Sequence, residues 1–116
     1  MILGIAVAAA LVWVAVTVLW LWRHQERVVF QPPGRWPGAP PTAMRVEYQA
    51  SDGHAVHGYL VRPSGAQDAD ATVIIAFHGN ADLAVWLLPW AGELARRARA
   101  TVFLPEYRGY AGISGT

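Results

Sequence analysis

The first 22 residues, Met1 to Trp22, carry no charged side chain, and Thr17 is their only clearly polar one. As an α-helix this run would extend about 33 Å at 1.5 Å per residue. The hydrocarbon layer of a bilayer is about 30 Å thick. Trp20 and Trp22 lie at its end, where amphipathic rings favour the membrane interface, and Arg23-His24-Gln25-Glu26-Arg27 closes it abruptly. The segment therefore predicts a transmembrane anchor over residues 1–22, with the lipid bilayer as a partner. A cleaved leader would show a basic start, a shorter apolar core and small residues at the cleavage site. None of these is present, since no Arg or Lys precedes the core and Leu19-Trp20-Leu21-Trp22 occupies the cleavage region. Arg23, Arg27 and Arg35 come after the span and none precedes it, so a single-pass topology with the C-terminal part leaning cytoplasmic is expected.

The part of the chain beyond the anchor is small. A domain of fewer than a hundred residues buries a modest share of its surface and is marginal without reinforcement. The chain has no Cys, which excludes disulfides and a Cys-based structural zinc site. Nine Arg against eight acidic residues give a net charge of +1, and the charges are dispersed. No basic stripe suggests nucleic acid.

Residues 31–43 hold five prolines and two glycines in thirteen positions, the composition of an extended linker. The expected organisation is thus an anchor over 1–22, a charged flank and Pro-rich linker over 23–43, and a folded part over 44–116. Met44, Val46 and Tyr48 alternate with Arg45, Glu47 and Gln49, a strand pattern. Asp52-Gly53 suits a two-residue type I′ turn, and residues 54–62 form a second strand ended by Pro63. Ser64 to Asp70 is a polar loop. Ala71 to Phe77 is a short apolar β-branched run, suited to a strand buried on both faces. His78-Gly79-Asn80 breaks it. Leu83, Leu87, Trp90, Leu94 and Ala98 then recur at helical spacing, with Pro89 predicting a regular helix from near Leu88. Thr101 to Leu104 returns to strand and leads into a Gly-rich loop. Hairpin plus βαβ predicts an α/β fold with a mixed sheet and a right-handed crossover.

Two short motifs carry a resemblance. Phe77-His78-Gly79-Asn80-Ala81 after a strand, and Glu106-Tyr107-Arg108-Gly109-Tyr110 after the next, resemble the membrane-anchored, abhydrolase-domain branch of the α/β-hydrolase superfamily. Asp52-Gly53, Gly58 and Pro63 match the hairpin of the same family, so the likeness spans about residues 28–116. It implies the first four strands and first helix of an α/β-hydrolase fold, in the order 1-2-4-3. It also implies a serine hydrolase acting on ester, thioester or amide bonds of a small acyl substrate, with no metal or organic cofactor. Asn80 and Ala81 would form the oxyanion hole, with His78 and Gly79 as the supporting turn. In this fold the loop after the third strand presents backbone N–H groups to the acyl oxyanion. One such donor is typically worth roughly 10²–10³ in turnover. The family usually has Gly where this chain has Asp82, and many members have Asp at Glu106 and Gly at Ala111.

The nucleophile of that fold lies in a Gly-x-Ser-x-Gly elbow, with an acid and a His later in the chain. No such elbow occurs in these 116 residues, so no catalytic Ser, acid or His is assigned. Gly112-Ile113-Ser114-Gly115-Thr116 has its second Gly one place early and comes after the wrong strand. The chain is therefore expected to be an N-terminal portion of the hydrolase. The alternative is a non-catalytic single-span membrane protein using the module for protein binding, or a truncated pseudoenzyme. With the order 1-2-4-3 the third strand would be a bare apolar edge, which predicts an unstable isolated chain.

Other polar and aromatic residues have simpler expectations. His54 and His57, three apart on a strand, face opposite sides, so they are read as surface residues of the hairpin and not as a metal pair with Asp52. His78 is read as hydrogen-bonding within its turn, and Arg108 as a structural ion-pair partner. Trp86 and Trp90 are read as core or lid contacts, with lipid contact as the alternative.

Overall fold

A computed structural model describes residues 2–41, 43–65 and 72–113. Ser114, the polar loop beyond Gly65, and Ala71 at the start of the third expected strand lie outside the described residues. The chain divides into two compact units, residues 1–31 and 32–116.

The first unit is one helix, α1, Ile2–Val29, and none of its residues is buried. It is long and apolar enough to cross a membrane. The helix continues past Trp22 because Arg23, Gln25, Glu26 and Arg27 are good helix formers once outside the apolar run. The one polar side chain of the apolar zone is satisfied locally, the Thr17 hydroxyl donating to the Trp13 carbonyl at 2.9 Å. At the polar end the His24 ring stacks on Trp20, with centroids 4.9 Å apart.

Among the described residues, the second unit is a four-stranded mixed sheet with one α-helix. Its strands are β1 (Met44–Gln49), β2 (Ala55–Val61), β3 (Val73–Ile75) and β4 (Thr101–Pro105), in the order β1-β2-β4-β3. β1 and β2 are antiparallel, as are β2 and β4, while β3 runs parallel to β4. The strand order is the one expected, and the small α/β architecture with it. β3 is shorter than the expected Ala71–Phe77 run because it is an edge with β4 as its single neighbour. The Ala76 N–H still donates to the Phe103 carbonyl at 2.9 Å, and then the chain turns away.

The β1–β2 connection is not the two-residue turn that Asp52-Gly53 suggests. Gly53 N–H donates to the Ala50 carbonyl, and Ala50 N–H to the His54 carbonyl, each at 2.9 Å. Gly53 has φ +84°, while Asp52 is not left-handed. This is a three-residue loop, a turn closed by a glycine bulge, and a type I′ turn would have needed positive φ at both positions.

A 3₁₀ turn, Ala84–Leu87, leads into α2, Leu88–Ala98. Pro89 sits in the first turn, where its missing N–H costs nothing. Arg99 ends the helix in the left-handed region, and Ala100 N–H reaches back to the Ala95 carbonyl. The buried stripe is Ala91 and Ala95, packed with Leu83 and Ala84 against Tyr59, Val102 and Leu104. The expected stripe through Trp90 and Ala98 is thus displaced. Trp86, Trp90 and Ala98 are exposed, and Leu94 is half-buried. Small alanines allow the helix backbone close to the sheet, which a tryptophan at the same place would prevent.

Register fixes the two faces of the sheet, since directly opposed residues share a face. Tyr59 opposite Leu104, and Val61 opposite Val102, lie under α2. Met44, Val46 and Tyr48 share the other face with Leu60, Gly58 and Val56, and Phe103 and Ile75 continue it. No described helix packs there. Val73, Ile75 and Phe77 are each more than half exposed.

Candidate functional site

Two loops leave the C-terminal ends of the parallel strands β3 and β4, and they meet. Open α/β sheets bind ligands outside the carboxyl ends of their strands. The first loop carries His78, Gly79, Asn80 and Ala81, and the second carries Glu106, Tyr107 and Tyr110.

Their junction is a buried pair. His78 Nε2 lies 2.5 Å from Glu106 Oε1, and neither side chain is exposed. His78 Nδ1 donates to the Gly79 carbonyl at 2.9 Å, because a carbonyl can only accept. Partners on both ring nitrogens and the close contact with the carboxyl are what make the burial of this pair tolerable. Glu106 has further partners. Its Oε1 accepts the Tyr107 N–H and its Oε2 the Ala84 N–H, both at 3.1 Å. The second contact places carboxylate charge at the start of the 3₁₀–α2 run, where unpaired N–H groups make the potential positive. One carboxyl thus ties the turn after β3, the start of the helical crossover and the end of β4 together.

Two tyrosines complete the junction. The Tyr107 hydroxyl donates to the His78 carbonyl at 3.0 Å, and its ring lies 4.3 Å from the His78 ring. The Tyr110 hydroxyl donates to Asn80 Oδ1 at 2.8 Å. Asn80 Oδ1 also accepts the Ala81 N–H at 3.0 Å. Ala81 has φ +59°, and Ala111 in the facing loop has φ +48°. A left-handed alanine costs roughly 1–2 kcal/mol, so the surrounding contacts hold both residues in place. Gly79 is exposed, and a Cβ built on it would meet nothing within 4 Å. The loop therefore has an open outer side above a fixed base.

The residues singled out from the sequence are brought together in part. His78, Gly79, Asn80 and Ala81 form one turn, and His78 makes the structural hydrogen bonds expected of it. The Ala81 N–H, expected to serve an oxyanion, is engaged by the Asn80 carboxamide. Arg108 pairs with Asp52, as expected of a structural partner. The backbone N–H of His54 donates to Asp52 and, with the His54 ring and Arg108 beside it, holds that carboxyl below its ordinary range. His54 lies before β2 and contacts Asp52, whereas His57 packs beside Trp36 and Tyr59 and is buried, not on the surface as expected. Among the described residues no group of three metal-ligating side chains forms.

Sequence reasoning missed the hub. Glu106 stands directly after the apolar run Thr101–Pro105, and an acid at the end of a buried strand needs buried partners. It also missed that part of the expected linker packs on the sheet. Trp36 stands 5.9 Å from the His57 ring, and Arg45 lies over the Trp36 ring at 5.7 Å. These residues border a cavity of about 300 Å³. Burial, reinforced by Arg45, pushes the His57 imidazole below its ordinary value.

Comparison with known proteins adds no relationship: no family model, no curated protein and no solved structure matches the chain.

Proposed function

We propose that residues 32–113 are the oxyanion-loop part of a membrane-anchored serine hydrolase of the α/β-hydrolase type, acting on an ester, thioester or amide. The observation that carries this is the Glu106 junction. It fixes the His78–Ala81 turn at the C-terminal ends of two parallel strands while leaving its outer side open. A preorganised turn of backbone donors lowers the barrier of acyl transfer because the donors need not reorganise as charge develops. In this reading the Asn80 and Ala81 N–H groups receive the oxyanion, and the Asn80 carboxamide releases Ala81 as they do so. Tyr110 retains Asn80 Oδ1 and limits how far the turn can move. The strand order and the apolar sheet face opposite α2 support the same reading, since that face suits a cover of further helices. The nucleophile, acid and base it requires are not among these 116 residues. Helix α1 supplies the single-pass anchor, with the sheet unit on the cytoplasmic side by its arginine bias.

Membranes from cells overproducing the native gene should hydrolyse p-nitrophenyl or thioester acyl substrates faster than membranes lacking it, with inhibition by a fluorophosphonate. Equal rates in the two membranes would refute the proposal.

One observation favours a second reading, a non-catalytic membrane protein that binds another protein. The Ala81 N–H is occupied by Asn80, so the turn is closed on itself as it stands. Wild-type hydrolysis at the level of membranes lacking the gene would leave this reading in place.

A further inference from the structure

We infer that the outer side of α2 is a second membrane contact, with Trp86 and Trp90 seated at the headgroup boundary of the same bilayer that holds α1. The inference rests on α1 being a membrane anchor. Trp86 and Trp90 are 50% and 52% exposed, although their ring type is normally well buried. Trp86 lies in the 3₁₀ turn and Trp90 one turn later in the first turn of α2, both away from the buried Ala91 and Ala95. The same exposed side continues into Glu93 and Arg97, with Arg96 and Arg99 beside them. Glu93 bridges Arg96 at 2.7 Å and Arg97 at 2.5 Å, so three arginines stand against one acid and the patch is net positive.

Two observations select a bilayer as the occupant. The first is composition. The open sheet face carries Met44, Val46, Tyr48, Leu60, Phe103 and Ile75 without charge, the chemistry of a surface covered by protein. The α2 side instead pairs indole rings, which have an apolar body and a polar N–H, with cations, the chemistry of the headgroup region and its anionic lipids. The second is the tether. Seven helical residues, 23–29, and six more, 30–35, separate Trp22 at the end of the apolar run from Trp36, which packs on the sheet unit. Helical and then fully extended, they reach about 30 Å. A unit on such a tether stays within reach of the membrane surface, so docking is an intramolecular step.

The chain has no Cys, so a single cysteine can be placed at Glu93 or, as a control on the hairpin, at Gln49 and labelled with an environment-sensitive NBD dye. The full chain is reconstituted in phosphatidylcholine–phosphatidylglycerol vesicles. The dye at position 93 should be quenched by doxyl-labelled lipid and protected from aqueous iodide, and the dye at position 49 should show the reverse. Quenching at 93 should fall in vesicles of phosphatidylcholine alone, and should drop to the position-49 level in Trp86→Ala/Trp90→Ala. Iodide access at 93 equal to that at 49, with the chain retained after alkaline carbonate extraction, would overturn the docking and leave the anchor intact. Protection from iodide without lipid quenching would mean that protein covers the patch, and would overturn it too. Release by carbonate would overturn the anchor, and the docking with it.

Discussion

His78 and Glu106 lie 28 positions apart in the chain and 2.5 Å apart in the fold, with no solvent reaching either side chain. Glu106 at the same time holds the Ala84 and Tyr107 N–H groups, so three segments depend on one carboxyl. Breaking a buried pair by removing one partner typically costs roughly 3–5 kcal/mol, because the remaining polar groups stay buried without a match. Glu106→Ala should therefore lower the urea midpoint of the full chain in detergent strongly, and Glu106→Gln less, since the amide oxygen still accepts. Equal midpoints for wild type and Glu106→Ala would contradict this role.

Gly58 lies where β2 faces Phe103 and Leu104 of β4. A Cβ there would stand 2.6 Å from Phe103 Cε2 and 2.7 Å from the Leu104 carbonyl oxygen. The ring can swing aside, but the backbone oxygen cannot, so the strands must part. Gly58→Ala should destabilise by about 1–3 kcal/mol, the usual range for overpacking. Thermal unfolding monitored by circular dichroism measures it, and an unchanged Tm would show that β2 and β4 are spaced more loosely than this close approach requires.

His57 ties stability to pH. Burial chiefly, and Arg45 next, lower its pKa from the ordinary 6.5. Below that value the unfolded chain takes up a proton that the folded chain does not, so stability falls as pH falls from about 6.5 toward the folded-state value. His57→Gln removes this contribution. The apparent Tm of the variant should decline less than that of wild type between about pH 7.5 and pH 5.5, and parallel declines would contradict the assignment.

The apolar sheet face should govern self-association. Ile75 is more than half exposed on an edge strand, and such edges pair readily with other chains. Ile75→Lys should reduce light scattering on mild heating while shifting stability by no more than about 0.5 kcal/mol, as for other exposed substitutions. Undiminished scattering would place the sticky surface elsewhere.

Much of the fold is legible in the sequence because its periodicities are local. Met44 to Gln49 alternate, Thr101 to Leu104 do not, and Pro89 marks where α2 starts. The helix face is not legible in the same way, because periodicity weights Trp90 and Leu94 by hydrophobicity, while the sheet selects Ala91 and Ala95 by size. The hairpin loop escapes because Asp-Gly serves two turn types, and the choice depends on φ at Asp52. The His-Gly-Asn-Ala turn is legible, but its keystone is not. Glu106 acquires its partners through tertiary contacts with His78 and Ala84, which no spacing rule connects. Ala111 shows a second limit: its left-handed φ of +48° is a conformation that favours glycine, and an alanine in the sequence gives no sign of it.

The most direct measurement is the intact mass of the polypeptide extracted from its native membrane, before and after treatment with a fluorophosphonate. A hydrolase built on the Glu106-braced turn predicts a mass well above the 12.6 kDa of these 116 residues and a stoichiometric adduct on a serine. A mass of 12.6 kDa with no adduct would contradict it, and would leave the module a binding domain on a membrane anchor.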